Sequence, residues 1–394
     1  MSDKLFWKNP GYRSTKPLYG NETAQYLIVG GGISGLMSAF FLIQYGVKPR
    51  DIILVEGETI GSGSTGRSAG MLVPEPENED NVWWDGFIKK YGVKLTKIYR
   101  QKHLEALRMV ERIIADGAIR CEAERQDFII LARGRGAQRR VESDMRARRR
   151  LGEHPAHLYG ASLKREFPAS RFSFAERTHR GLSVNPLALS QGIASYLRRM
   201  GVVVYEHTLL RTVHKNKALF SGGEIQFKNI IYARGVAETG RGRMHSYVTS
   251  VVVTKKLPRL VIKKLKLYHH EMFIDDQGEH SFHYGKITAD GRLLLGYGDE
   301  RTREKNAVVP VNKNHIHAIR RFLKRTFPGT PLPVEYTWSG VYALVRGLLP
   351  MVRVSDHVAL VNGAGIQLGS IVAAQYAVTQ LLKKKHPLEK LWNY

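Results

Sequence analysis

Cysteine and acidic residues are scarce in this sequence. Its 394 residues include one cysteine, Cys121, which excludes an internal disulfide framework and a cysteine-rich metal site. Residues 1–20 are mixed polar and aromatic and lack an apolar signal segment, so we expect a cytoplasmic protein. Only 35 Asp and Glu stand against 61 Lys and Arg, which gives a formal net charge of +26. This excess would suit an anionic partner, but it does not identify a function.

Residues 25–56 form a dinucleotide-binding pattern. A buried strand, a glycine-rich turn, an apolar helix and a second strand are predicted at residues 25–29, 30–35, 36–45 and 51–55. In this context Gly30 permits a tight turn, Gly32 lets the backbone approach a pyrophosphate, and Gly35 lets the helix pack on the strand. Glu56 ends the second strand, where it would accept hydrogen bonds from a ribose hydroxyl and repel a 2′-phosphate. The pattern therefore predicts a nucleotide site at the helix N-terminus.

A second loop of small residues continues from Glu56 to Leu72. Its amides and hydroxyls can lie along a pyrophosphate and a flexible ribityl chain, and NAD has no ribityl chain to require such a loop. The loop therefore favours FAD. The two motifs predict these cofactor contacts: Gly30, Gly32, Ile33, Ser34, Gly35, Glu56, Gly57, Ser64, Thr65, Arg67, Ser68, Ala69, Gly70 and Met71.

The run at residues 60–72 resembles the D-amino-acid oxidase and glycine oxidase family of FAD enzymes. Further matches follow in the family's order at residues 205–213, 230–235, 284–296, 338–340 and 363–366. The resemblance implies an α/β fold, in which a discontinuous Rossmann-like FAD-binding domain is interleaved with a mixed-sheet α+β substrate domain. It also implies that the FAD is non-covalent and adds these cofactor contacts: Val213, Ala233, Gly235, Gly363, Gly365, Ile366 and Gln367.

The implied architecture sets the expected domain boundaries. Residues 1–82, 155–245 and 343–394 would form the FAD-binding domain, and residues 83–154 and 246–342 the substrate domain. Apolar spacing predicts helices across residues 82–145. A helix opened by Pro186, a strand-rich segment with a turn at Asp290 and Gly291, and a last helix are predicted at 185–200, 246–298 and 370–385.

The resemblance also implies the reaction, which is hydride transfer to flavin from the carbon of a C–N bond, with an imine product. Tyr284 matches an aromatic position that faces the substrate. Tyr342 stands where the family has a carboxylate-binding Arg, and Arg346 could supply the missing charge. These three residues are the catalytic candidates. The expected substrate is a small amine or amino acid.

The electron acceptor would be oxygen or another acceptor. Leu294 stands where some relatives have a lysine used with oxygen, which favours a dehydrogenase over an oxidase. The histidines form no recognisable ligand set, so no metal is expected. The acidic stretch at residues 75–80 would either favour cationic amines at the pocket entrance or form a solvated loop.

Alternative functions stay open at this point. The arginine-rich run at residues 133–150 would suit nucleic acid or a membrane surface as a weak anionic partner, although a solvated basic helix explains it more simply. A flavin domain of this family occurs in an enzyme that modifies the wobble uridine of tRNA, so an RNA-directed flavoenzyme is one alternative. A non-catalytic flavin-binding subunit is another. A homo-oligomer is compatible with all of them.

Overall fold

The computed structural model describes residues 4–167, 171–239, 243–265, 271–276, 282–362 and 368–392. In these residues the strands are β1 (Gly20–Val29), β2 (Ile52–Val55), β3 (Met71–Leu72), β4 (Glu124–Ala132), β5 (Ala156–Tyr159), β6 (Phe174–Ser183), β7 (Val203–Tyr205), β8 (Leu210–His214), β9 (Lys217–Phe220), β10 (Gly223–Tyr232), β11 (Met244–Thr254), β12 (Met272–Asp276), β13 (Phe282–Ile287), β14 (Leu293–Thr302), β15 (Val308–Val309), β16 (Val334–Val345), β17 (Met351–Ser355) and β18 (Val358–Asn362). The helices are α1 (Ile33–Gln44), α2 (Ser64–Arg67), α3 (Trp84–Asp116), α4 (Gly134–Arg150), α5 (Gly160–Glu166), α6 (Pro186–Met200), α7 (Arg259–Leu265), α8 (Lys313–Thr326), α9 (Leu368–Leu381) and α10 (Glu389–Trp392).

The first sheet carries the nucleotide-binding pattern. Its strands lie in the order β17-β18-β10-β1-β2-β7, and all neighbours are parallel except β17 and β18. Helices α1, α6 and α9 pack together in the apolar core on one face, and β8 and β9 extend β10 as an antiparallel ribbon. Because the parallel strands are covered, they are apolar runs such as that of β2, whose four residues are all buried.

The second sheet is mixed and mostly antiparallel. Its order is β15-β16-β11-β14-β13-β12-β4-β6-β3, with β5 beside β6, and the pair β4 and β12 is parallel. Helix α8 supplies Ile319 and Phe322 to the apolar core on one face. Trp338 and Leu294 belong to a second apolar cluster, which also contains Ala69 and Met71 of the small-residue loop. The two sheets therefore meet at that loop.

Several predicted elements are confirmed, and others differ. Helix α6 starts at Pro186, and the Asn185 side chain caps it by accepting from the N–H of Ala188 at 3.1 Å. The turn at Gly291 joins β13 to β14, with φ of +83°. The prediction of helices throughout residues 82–145 is wrong, because β4 lies between α3 and α4. Its apolar run at 128–131 is buried between β6 and β12, where strand pairing outweighs helical spacing.

The predicted domain boundaries remain a prediction. Two parts of the chain pack with the other sheet than these boundaries imply. Strands β5 and β6 lie in residues 155–245, which were assigned to the FAD-binding domain, yet both pair within the second sheet. Helix α3, assigned to the substrate domain, contributes Trp84 and Phe87 to the core of the first sheet. Among the described helices none is long and apolar enough to cross a membrane, and the long helix α3 is charged along its length and interrupted at Gly92.

Candidate active site

The glycine-rich turn lies where β1 and β10 end. Gly30 has φ of +116°, and a Cβ added there would lie 2.3 Å from the carbonyl oxygen of Ala233. A Cβ on Gly35 would lie 1.9 Å from the carbonyl oxygen of Gly30. Both positions therefore require glycine for β1, β10 and α1 to approach one another closely. Helix α1 begins directly after Gly32, and its N-terminus carries the partial positive charge that suits a phosphate.

Glu56 lies beside this turn at the end of β2. One carboxylate oxygen accepts from the N–H of Gly31 at 2.6 Å and the other from the N–H of Glu58 at 3.0 Å. Burial raises the pKa of Glu56, and the backbone hydrogen bonds act in the opposite direction. Thr65 Oγ1 accepts from the N–H of Ile33 at 3.2 Å, which brings a hydroxyl to the start of α1. The glycines, the helix N-terminus and the hydroxyls of the loop fit the pyrophosphate and ribityl parts of FAD.

The small-residue loop is fastened to β16 of the second sheet. Ser64 donates its hydroxyl to the carbonyl of Val341 at 2.7 Å. The buried Arg67 donates twice to the carbonyl of Ser339, at 2.7 and 3.1 Å. Trp338 donates its indole N–H to the carbonyl of Arg67 at 2.9 Å. These bonds hold the predicted flavin-binding loop at a defined distance from the second sheet.

Lys286 also supports the loop, although no motif in the sequence points to it. Its buried ammonium donates to the carbonyl of Gly70 at 2.9 Å, to Ser183 Oγ at 2.8 Å and to the carbonyl of Val184 at 3.2 Å. Burial lowers the pKa of Lys286 to about 7. Lys286 of β13 lies directly opposite Leu294 of β14. Leu294 stands where some relatives have a lysine, so this chain has a lysine on the neighbouring strand instead. The pairing of β13 with β14 brings Lys286 next to Leu294, and the spacing of residues along the sequence does not reveal this pairing.

A cavity of about 230 Å³ lies between the loop and the second sheet. Tyr284 and Tyr342 both line it, as predicted residues that the fold brings together. The predicted cofactor residues that share its wall are Ile33, Ser64, Thr65, Arg67, Ser68, Ala69, Gly70 and Met71. Glu77 and Asp299 line it as well.

The tyrosines are held by hydrogen bonds at the cavity wall. Tyr342 donates its hydroxyl to the carboxyl of Asp299, and the hydroxyls of Tyr284 and Thr249 are 2.9 Å apart. Burial raises the pKa of both phenols, so both remain protonated. Burial also raises the pKa of Asp299 to about 7, while the hydrogen bond from Tyr342 lowers it. The wall therefore combines two neutral phenols with a carboxyl that titrates near neutrality.

Other predicted residues lie elsewhere. Arg346 follows the end of β16, is exposed and does not line the cavity, so its predicted role lacks support from its position. Val213 lies in β8 and packs against an apolar cluster of the first sheet. Ala233 contacts Gly30 at the turn, and the carbonyl of Gly235 accepts from the side chain of Asn362 at 2.6 Å. Gly363, Gly365, Ile366 and Gln367 lie outside the described residues.

The Rossmann-like sheet with its glycine turn, and the cavity between it and the mixed sheet, define a dinucleotide-binding protein. The family profile "FAD dependent oxidoreductase" (DAO) matches residues 25–378. The chain therefore belongs to the DAO family of FAD-dependent oxidoreductases. The predicted family, fold class and cofactor are confirmed, and so is the expectation of an oxidoreductase.

Individual relatives agree with this assignment. The chain is 26% identical over 345 residues to gamma-glutamylputrescine oxidoreductase of Escherichia coli, covering 83% of this chain and 76% of that protein. L-amino acid deaminase from Proteus vulgaris superposes with a TM-score of 0.76 at 16% identity, over 96% and 98% of the two chains. Glycine oxidase from Bacillus cereus superposes with a TM-score of 0.73 at 17% identity, over 93% of this chain and 96% of that chain. These relatives lend no support to the RNA-directed alternative.

Proposed function

We propose that this protein oxidises the C–N bond of a small amine or amino acid. One observation carries the proposal, namely that a single cavity joins the loop expected to hold the flavin to a wall of tyrosines and a carboxyl. Bound FAD would supply the acceptor for a hydride from the carbon, and loss of a proton from the nitrogen would complete the imine product. The names of the relatives, which include an amine oxidoreductase and amino-acid enzymes, support the same bond.

The residues of this chain would bind and orient the substrate. Tyr284 and Tyr342 remain protonated, so neither serves as a base, and Tyr342 holds the carboxyl of Asp299 in place by donating to it. The apolar side chains of Met71, Phe128 and Ile130 line the same cavity and would exclude water from the reacting carbon. Substrate would therefore react in a pocket from which water is largely excluded.

We further propose a cytoplasmic location and a dehydrogenase, with oxygen as the alternative acceptor. Cys121 is buried and free, which is compatible with a reducing compartment. Leu294 is fully buried in an apolar cluster with Trp338. A leucine there supplies no charge for reaction with oxygen.

The test is anaerobic reduction of the bound flavin. The purified protein should be yellow, and mixing it with a panel of amines and amino acids should bleach the flavin with at least one of them. Analogues in which methyl groups replace both hydrogens on the reacting carbon should leave the colour unchanged, because no hydride is available. Repeating the mixing with oxygen separates oxidase from dehydrogenase. A colourless protein that cannot be reconstituted with FAD, or a flavin that no compound reduces, would contradict the proposal.

A further inference from the structure

Asp299 is placed in the cavity by an irregularity of the second sheet. The pairing of β11 with β14 shifts between Val248, which faces Glu300, and Thr249, which faces Gly298. Asp299 is therefore the extra residue of a β-bulge. Its φ of +104° is rare for a residue with a side chain. Bulges of this kind redirect a side chain, and strained residues of this kind are common at functional sites.

The cavity gives this carboxyl no cationic partner. Over the described part of the chain, no lysine, arginine or histidine pairs with Asp299, whose hydrogen-bond partner is the neutral phenol of Tyr342. Two arginines line the cavity, and both are engaged elsewhere. Arg67 donates to the carbonyl of Ser339, and Arg148 forms ion pairs that include Glu75. A carboxylate in such a place is stabilised when a cation enters the cavity.

We infer that Asp299, oriented by Tyr342, is a cation-binding subsite that selects amines with a second positive charge, namely diamines and polyamines. This inference rests on the proposed oxidation of a C–N bond and names its substrate class. A substrate carboxylate would meet repulsion from this wall, whereas an ammonium group would be attracted to it.

The bound ammonium and the oxidised nitrogen must be different groups. Hydride leaves the carbon only when the neighbouring nitrogen has a lone pair to form the C=N bond. An ammonium paired with Asp299 keeps its proton and has no such lone pair. The substrate therefore needs one charged nitrogen at Asp299 and a second nitrogen, deprotonated before reaction, at the reacting carbon.

Equilibrium binding to reduced holoenzyme tests the subsite without relying on turnover. Enzyme reduced with dithionite under nitrogen cannot oxidise an amine, so calorimetry can compare 1,4-diaminobutane, 1-aminobutane and 2-aminobutanoate. We expect the diamine to bind about ten- to hundredfold more tightly than the monoamine, since hydrogen bonds to charged groups contribute on this scale. The amino acid should bind most weakly. Equal affinity for diamine and monoamine would overturn the inference, and this comparison needs no variant.

The variant Asp299→Asn keeps the shape of the side chain and tolerates positive φ. It should abolish the preference for the diamine over the monoamine. Glu300→Gln is the matched control, because it removes the same charge from the next residue, which is exposed and pairs with His315. It should retain the preference.

The outcomes separate this inference from the proposed function. If Asp299→Asn weakens diamine and monoamine alike, the carboxyl serves the reacting nitrogen and the second-cation subsite is refuted. If the preference is present and is lost only in Asp299→Asn, the subsite is supported. That result would hold even if no amine bleached the oxidised flavin, and in that case the proposed oxidation alone would fail.

Discussion

Tyr342 changes the kind of group that its part of the cavity can bind. The resemblance places a carboxylate-binding arginine at this position, and an arginine there would offer two parallel N–H donors with full positive charge. A phenol whose pKa burial raises offers one neutral donor, and here that donor is already used by Asp299. The residue and its partner therefore remove the attraction for a substrate carboxylate and replace it with attraction for a cation.

The titration of Asp299 makes binding pH-dependent. Its pKa of about 7 lies above the ordinary 3.8 because of burial, so the carboxyl is charged only above neutrality. Alkylammonium groups stay protonated there. The affinity of reduced enzyme for 1,4-diaminobutane should therefore rise about tenfold from pH 6 to pH 8, the change in the ionised fraction of such a group. Calorimetry across this range measures it.

The other groups facing Asp299 do not produce this profile. Tyr342, Tyr284 and Tyr247 have pKa values raised by burial, so they stay neutral over the range. Glu75 and Glu77 also line the cavity, so a profile that persists in Asp299→Asn would assign the titration to a group other than Asp299. In Asp299→Asn the affinity should be independent of pH.

At the scale of elements, the turn between β1 and α1 depends on close contacts that leave no room for a side chain. A methyl group on Gly35 would lie 1.9 Å from the carbonyl oxygen of Gly30, so Gly35→Ala must displace α1 from the turn. Overpacking of this kind costs about 1–3 kcal/mol. We expect lower stability to urea and a lower ratio of flavin to protein after purification.

Gly136→Ala provides the control for this substitution. Gly136 lies in α4, where an added Cβ would have its nearest neighbour, the guanidinium of Arg140, at 3.9 Å. Alanine there should raise the stability by about 0.5–1 kcal/mol through helix propensity, with flavin content unchanged. If Gly35→Ala behaved like Gly136→Ala, the close packing of turn and helix would not be needed for flavin binding.

The sequence predicts local elements better than it predicts pairing between distant ones. The β1–α1–β2 unit and the start of α6 at Pro186 follow from residues adjacent in the chain, and both are present. Strand β4 was missed because its apolar run is stabilised by β6 and β12, which lie far along the chain. The bulge that directs Asp299 into the cavity depends on the register of β11 against β14. No short window of sequence contains that information.

At the scale of the whole molecule, the positive charge of the arginine-rich run is partly used inside the fold. Arg148, near the end of α4, is 1% exposed. Its guanidinium contacts Glu176 at 2.6 Å and Asp144 at 2.8 Å, and it also pairs with Glu75 of the cavity wall. This arginine is therefore inaccessible to nucleic acid, and it joins α4 and β6 to the candidate active site.

Replacing Arg148 should therefore affect stability far more than replacing an exposed neighbour. Arg148→Met leaves Glu75, Asp144 and Glu176 without their shared cation, and breaking a buried ion pair in this way costs about 3–5 kcal/mol. Arg150→Gln removes the same charge from an exposed side chain and should change stability by no more than about 0.5 kcal/mol. Urea unfolding of both variants measures the difference. Equal stability of the two variants would show that the whole run is a solvated basic surface. The expected difference would show that α4 contains Arg148 because the fold requires it, and not because an anionic partner binds it.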